Sequence, residues 1–269
     1  MNAIRCRASL PGCFLLLAAL LLIPAAVSAD EVRVAVASSF STAMARLAPL
    51  FEQQTGHHLK SSFASTGKLY AQIRQGAPYD LFLAADDERP RRLSEEGLAV
   101  ADSFFIYVNG RLVLWSATPG LVDAEGKVLL DGEPARLAVA NFRTAPYGVA
   151  ALQVLHALRV FPRWQHHLIQ GENVGQAFQF VQSGNVPLGL VAYSQVLALP
   201  EDERGSYWLV SQALHAPIAQ GAVLLRRSTT NDAARAFLAF LRSPQAGAEL
   251  TALGYSTAHS TSHAASGGR

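Results

Sequence analysis

Residues 34–43, VAVASSFSTA, and residues 61–70, SSFASTGKLY, share one pattern. In each, an apolar extended run stops at two adjacent hydroxyl residues, Ser38-Ser39 and Ser65-Thr66, and a helical pattern begins at once. A strand that feeds straight into a helix presents the first-turn N–H groups, which have no acceptor inside the helix and carry a partial positive charge. Such a junction holds anions. The same residue types are also ordinary helix N-caps. Whether the rest of the chain repeats the arrangement decides between these readings.

Working outward, residues 30–37 place Val and Ala close together, as in a strand buried on both faces of a parallel sheet. Met44, Leu47, Leu50 and Phe51 recur at helical spacing, and Gly56 marks the stop. A strand over 59–63, a helix over 68–75 and a strand over 80–85 continue a β-α-β-α-β series. Asp86 and Asp87 then stand either as catalytic carboxylates or as caps on a helix over 88–96. Strand candidates over 104–108 and 112–115 flank Asn109-Gly110, which is a hairpin signal in isolation and a crossing between lobes in a two-lobed chain.

The second half repeats the junction. A strand over 137–140 leads to Ala145-Pro146-Tyr147-Gly148, where Pro begins a helix and leaves the next N–H groups free. Glu172-Asn173-Val174 precedes another helix with Asn173 as its cap, and a strand over 188–192 follows it. A last strand over 218–225 and a helix over 231–241 complete the series. Each half of the chain thus offers two loop-to-helix junctions.

Residues 1–29 carry Arg5 and Arg7, an apolar run over 14–23 and a small-x-small ending, Val27-Ser28-Ala29, the pattern of a secretory signal peptide. The apolar run is shorter than the ~20 residues a membrane span needs. Cys6 and Cys13, the only two cysteines, lie in this leader, so the exported chain has no disulfide and no thiol nucleophile. The leader takes two arginines with it, which leaves 20 basic against 20 acidic residues and argues against nucleic acid as a partner. Residues 258–269 lack large apolar side chains and are expected to be disordered; His259 in this tail reads as solvated rather than metal-binding. Adjacent His57-His58 and His166-His167 diverge on helix or strand alike and read as surface residues.

Four segments, residues 34–44, 61–86, 137–151 and 171–196, together resemble the periplasmic molybdate-binding proteins of ABC importers, and the similarity runs from about Val32 to Tyr255. The resemblance implies an α/β, two-lobed periplasmic binding protein fold, each lobe a mostly parallel sheet flanked by helices, with the ligand cleft between the lobes. One lobe would be 30–110 plus 217–257 and the other 111–216. It implies a non-enzymatic, monomeric protein of the periplasm with no cofactor, holding molybdate or tungstate and meeting a membrane permease. Matched by position, the oxyanion contacts are Ser39 and Thr66 through N–H and hydroxyl, and Tyr147 and Val174 through N–H, with Ser38 as a contact found in one branch of the family. Some relatives add a Tyr hydroxyl where this chain has Ala192; Tyr193 is one residue out and on a strand faces the other way, so it is not assigned to the site, and Ser38 is a candidate for the missing donor. Lys68 belongs on the helix surface.

Two alternatives stand beside this reading. Another oxyanion, sulfate or phosphate, would suit a similar pocket. An exported hydrolase using Asp80, Asp86 or a His pair would lack the usual support, since the exported chain has no Gly-x-Ser-x-Gly elbow and no His-Glu-x-x-His.

Overall fold

The computed structural model describes residues 30–133 and 135–256, so the expected leader and tail lie outside the described residues. The chain begins with β1 (Glu31–Ala37), a 3-10 turn (Ser38–Phe40), α1 (Ser41–Thr55), β2 (His58–Ala64), α2 (Thr66–Arg74), β3 (Leu81–Leu83) and α3 (Glu88–Glu95). It continues through β4 (Phe105–Gly110), β5 (Leu112–Ser116), α4 (Lys127–Leu130), β6 (Leu137–Ala140), α5 (Pro146–Ala157), α6 (Phe161–Trp164), β7 (Leu168–Gly171) and α7 (Val174–Gln182). It ends with β8 (Leu188–Ala192), α8 (Tyr193–Leu197), β9 (Ser206–Leu209), β10 (Ile218–Leu224), α9 (Asp232–Leu241) and α10 (Pro244–Ala252).

Two five-stranded sheets result, in the orders β2-β1-β3-β10-β4 and β7-β6-β8-β5-β9. Each is mixed. In the first, β1 pairs in parallel with β2 and β3, while β10 runs antiparallel to β3 and β4. In the second, β6 pairs in parallel with β7 and β8, while β5 runs antiparallel to β8 and β9. The parallel pairs are those joined through helices, as a parallel connection requires. The antiparallel ones are made by the strands on which the chain passes between sheets. Side chains alternate across β1 with period two: Val34 and Val36 pack with Leu47, Phe51 and Phe237, while Ala35 packs with Leu69 and Leu93 on the opposite face.

Asn109-Gly110 is a crossing and not a hairpin. β4 ends on it in the first sheet and β5 starts at Leu112 in the second, each with other partners. Local turn chemistry loses here to the antiparallel pairings with β10 and with β8 and β9. Gly110 also sits where a side chain has no room, because a Cβ would lie 2.7 Å from Gln220 Nε2 and run into the Tyr147 hydroxyl. Gly110→Ala is therefore expected to cost about 1–3 kcal/mol through overpacking. For a chain of this length that is a loss of roughly 2–4 °C in Tm per kcal/mol, read by thermal unfolding; an unchanged Tm would show that the crossing tolerates a side chain.

Candidate functional site

The strand registers bring the four junctions together. Ala37 at the end of β1 pairs with Ala64 at the end of β2, so Ser38-Ser39 and Ser65-Thr66 leave the first sheet level with each other. Ala140 of β6 pairs with Gly171 of β7 in the same way, which levels the loops into α5 and α7. The two sets face each other across one small cavity, lined by Ser38, Ser39, Ser65, Thr66, Tyr147 and Val174 together with Pro146 and four alanines. All five residues matched from the sequence thus line a single cavity.

Ordinary capping does not explain the hydroxyls. Ser65 is the N-cap of α2, yet its side chain makes no capping hydrogen bond, and the 3-10 turn after β1 has Ala37 at its cap position. At α7, by contrast, Asn173 Oδ1 accepts from Gln176 N at 3.0 Å in the expected way. Among the described residues, four buried side-chain polar atoms have no partner, and two of these, Ser39 Oγ and Ser65 Oγ, belong to residues lining this cavity. Thr66 Oγ1 accepts from Ala85 N at 3.0 Å. An oxygen held in that way keeps its own O–H to give. Ser65 lines the cavity too, although the match by position gives Thr66 alone of this pair; the adjacent hydroxyls are the signal in the sequence that points to it.

The backbone donors have the geometry of helix starts. Thr66 and Val174 are the first residues of α2 and α7, and Tyr147 follows Pro146 at the start of α5. Their N–H groups fall where the intrahelical ladder offers no acceptor. The Ser39 carbonyl is pinned from behind by the Tyr255 hydroxyl at 3.0 Å and, from α8, by Ser194 Oγ at 3.5 Å. The Tyr147 side chain runs toward the crossing strands, where its hydroxyl accepts from Gln220 Nε2 at 3.3 Å, and Gln220 Oε1 in turn meets the Tyr107 hydroxyl at 3.0 Å.

Residues set aside in the sequence stay apart from the cavity. The Tyr193 hydroxyl lies 3.3 Å from that of Tyr207, and Ala192 and Tyr193 contribute nothing to the lining. Lys68 is half-exposed on α2 and pairs with Glu172. Asp80 Oδ2 accepts from Arg33 N at 2.7 Å, a tie within the fold. Asp86, rather than Asp87, accepts from the first turn of α3, through Arg89 N at 3.0 Å, and it also pairs with the Arg89 guanidinium. Burial pushes the Asp86 carboxyl above its usual range, with Arg89 opposing. Among the described residues no group of three or more His, Cys, Asp or Glu is placed to hold a metal ion.

A cavity with this lining can accept an anion through neutral donors alone. Tyr147 is the one lining residue with an ionisable side chain; its phenol points away to Gln220, and burial raises it well above its ordinary value. The lining residues include no His, Cys, Asp, Glu or Lys.

The chain belongs to the bacterial extracellular solute-binding protein family, whose model matches residues 32–256. It is 46% identical over 234 residues to the molybdate-binding protein ModA of Azotobacter vinelandii, covering 87% of this chain and 93% of that one. The Rhodobacter capsulatus protein of the same name is 44% identical over 237 residues, covering 88% of this chain and 92% of its own. The solved Azotobacter vinelandii periplasmic molybdate-binding protein superposes with a TM-score of 0.81 at 38% identity, covering 84% of this chain and 98% of that one. The architecture is the periplasmic binding protein fold.

Two pH responses follow from the site and the tyrosines behind it. No lining group changes charge between about pH 5 and 9, so anion affinity should be flat there in titration calorimetry once the anion's own protonation is allowed for. Burial holds the phenols of Tyr107, Tyr147 and Tyr255 neutral above their ordinary value. A raised folded-state value means that their contribution is fully present below about pH 10 and is lost as pH rises beyond it, at up to ~1.4 kcal/mol per pH unit for each tyrosine. Denaturant unfolding at pH 9, 10 and 11 measures this, and equal stability at all three would contradict it.

Proposed function

We propose that this protein captures molybdate, and tungstate in the same way, and delivers it to the membrane permease of an ABC importer. It works in the periplasm as a monomer, exported by the leader at 1–29, with residues 30–110 and 217–257 as one lobe and 111–216 as the other. The anion sits between the lobes, held by the N–H groups of Ser39, Thr66, Tyr147 and Val174 and by the hydroxyls of Ser38, Ser39, Ser65 and Thr66. The observation that carries this reading is the pair of buried, unpartnered hydroxyls, Ser39 Oγ and Ser65 Oγ, at a cavity faced by helix starts and lined by no cationic side chain.

The donor set also bears on which anion is held. A protonated oxyanion brings an O–H that meets no acceptor among donors, which disfavours phosphate near neutral pH. Sulfate carries no such proton and is rejected through size. A smaller tetrahedron cannot reach all the donors of a closed cavity, and each buried donor left unpaired costs about 1–3 kcal/mol. Two such donors disfavour sulfate by roughly a hundredfold or more.

Titration calorimetry of the exported, anion-stripped protein tests the assignment. Molybdate and tungstate should compete at comparable concentration, with sulfate and phosphate far weaker. Ser39→Ala, Ser65→Ala and Thr66→Ala should each weaken molybdate binding about ten- to a hundredfold, the worth of one hydrogen bond of ~1.5–3 kcal/mol to a charged group. His57→Ala and His166→Ala should leave it unchanged. Sulfate displacing molybdate at equal concentration would overturn the molybdate assignment, and loss of binding only in the histidine variants would overturn the site.

A further inference from the structure

Two consecutive residues of α2, directly after Thr66, touch the second lobe. Gly67 N donates to Thr144 O at 2.8 Å, and Lys68 Nζ donates to Glu172 Oε1 at 2.6 Å. Thr144 stands two residues before Pro146 at the start of α5, and Glu172 two residues before Val174 at the start of α7. One helical turn thus carries a proposed anion donor and a tie to each of the two helix starts opposite.

Both ties have features that the fold of either lobe alone does not require. Gly67 is not among the glycines with positive φ, so its backbone conformation is open to any residue. What it lacks is room: a Cβ there would lie 3.0 Å from Thr144 O and 3.1 Å from Thr144 Cα, main-chain atoms that would have to give by a few tenths of an ångström and so hold the two segments further apart. Lys68 and Glu172 are each 51% exposed, and an exposed pair of this kind adds little to folding stability. Its effect is concentrated where the lobes meet. Glu172 also sets a carboxylate near the start of α7, where it would repel a bound dianion, and the Lys68 ammonium cancels that charge from the other lobe.

We propose that Gly67–Thr144 and Lys68–Glu172 form a clasp across the mouth of the cleft that sets how long the anion stays, with Lys68 and Glu172 as positioning residues that do not touch it. The inference rests on the anion-capture reading above. An acidic residue at the lip of an anion site is otherwise unfavourable; inside the clasp it is the half of the latch that makes closure depend on Lys68.

Release of molybdate into excess tungstate, followed by stopped-flow fluorescence of the tryptophans, reads the clasp directly. Glu172→Gln should release about two- to fivefold faster than the native chain. Lys68→Glu and Glu172→Lys, which each create repulsion, should be faster still, and the double variant Lys68→Glu/Glu172→Lys should return to near the native rate. Gly67→Ala should weaken binding about five- to a hundredfold through the clash while leaving the Tm of the anion-free protein unchanged or higher, because Ala favours a helix more than Gly does. Native release rates in both single charge reversals, or a double variant no slower than they are, would overturn the proposal. If the native protein binds sulfate and not molybdate, the molybdate reading fails, and the same measurement with sulfate still scores the clasp. If it binds none of these anions, solution X-ray scattering decides: a larger radius of gyration in Glu172→Lys than in the native protein supports the clasp, and equal radii overturn it.

Discussion

A hydroxyl buried without a partner costs about 1–3 kcal/mol, and this protein keeps two of them, Ser39 and Ser65, at one cavity. The rest of the structure can be understood as what holds them there. The parallel register of β1 with β2 sets Ala37 opposite Ala64, so the two hydroxyl pairs emerge side by side. A slip of one residue would turn every side chain of the strand to the other face and scatter them. Burial of Val34, Val36 and Phe82 at that end of the sheet makes such a slip costly. The core therefore acts on function through register: it is the reason unsatisfied donors stay aimed into a cavity and do not relax into helix caps.

Behind the donors lies a second layer of hydrogen bonds that fixes their backbone. Tyr255 and Ser194 both give to the Ser39 carbonyl, one from the end of the described chain and one from α8. Tyr147 reaches away from the cavity to Gln220 on the returning strand, and Gln220 meets Tyr107 on the outgoing strand. Tyr147 thus has its main chain at the cavity and its side chain on the strands that join the lobes. Gln220 is fully buried, so its amide would be left unpaired without these tyrosines. Groups held in this way would need little reorganisation to meet the anion proposed above, which is how neutral donors can supply affinity.

Much of this was legible in the sequence because it is local. Apolar runs ending in Ser38-Ser39 and Ser65-Thr66, the Ala145-Pro146 start of α5 and the Asn173 cap of α7 are contiguous patterns, and β6 and β8 fall over 137–140 and 188–192 as expected. What the sequence left open depends on partners far along the chain. Asn109-Gly110 is a hairpin until β10 is known to pair with β4. The mixed character of each sheet arises from the same crossing strands. Ser65 and Thr66 differ in role only because Ala85 N binds one hydroxyl oxygen and nothing binds the other. Asp86 displaces Asp87 as the acceptor at α3 through the placement of Arg89. The half-buried edge strand β9 has no pattern strong enough to announce itself without β5 beside it.

The position of Lys68 bears on why the cavity contains no cation. A lysine two residues after a proposed anion contact is well placed to reach inward, and in the cavity it would strengthen binding of any small anion with little regard to size or protonation, since a point charge on a flexible stem discriminates weakly. Turned outward to Glu172 instead, it leaves the proposed recognition to fixed N–H and O–H groups whose directions are set by helix starts and strand ends. A cage of this kind separates anions by whether they fill it and whether they carry a proton. The same outward turn ties that charge to the meeting of the lobes. In the proposed scheme selectivity and retention rest on different groups, and each could change in sequence without dismantling the other.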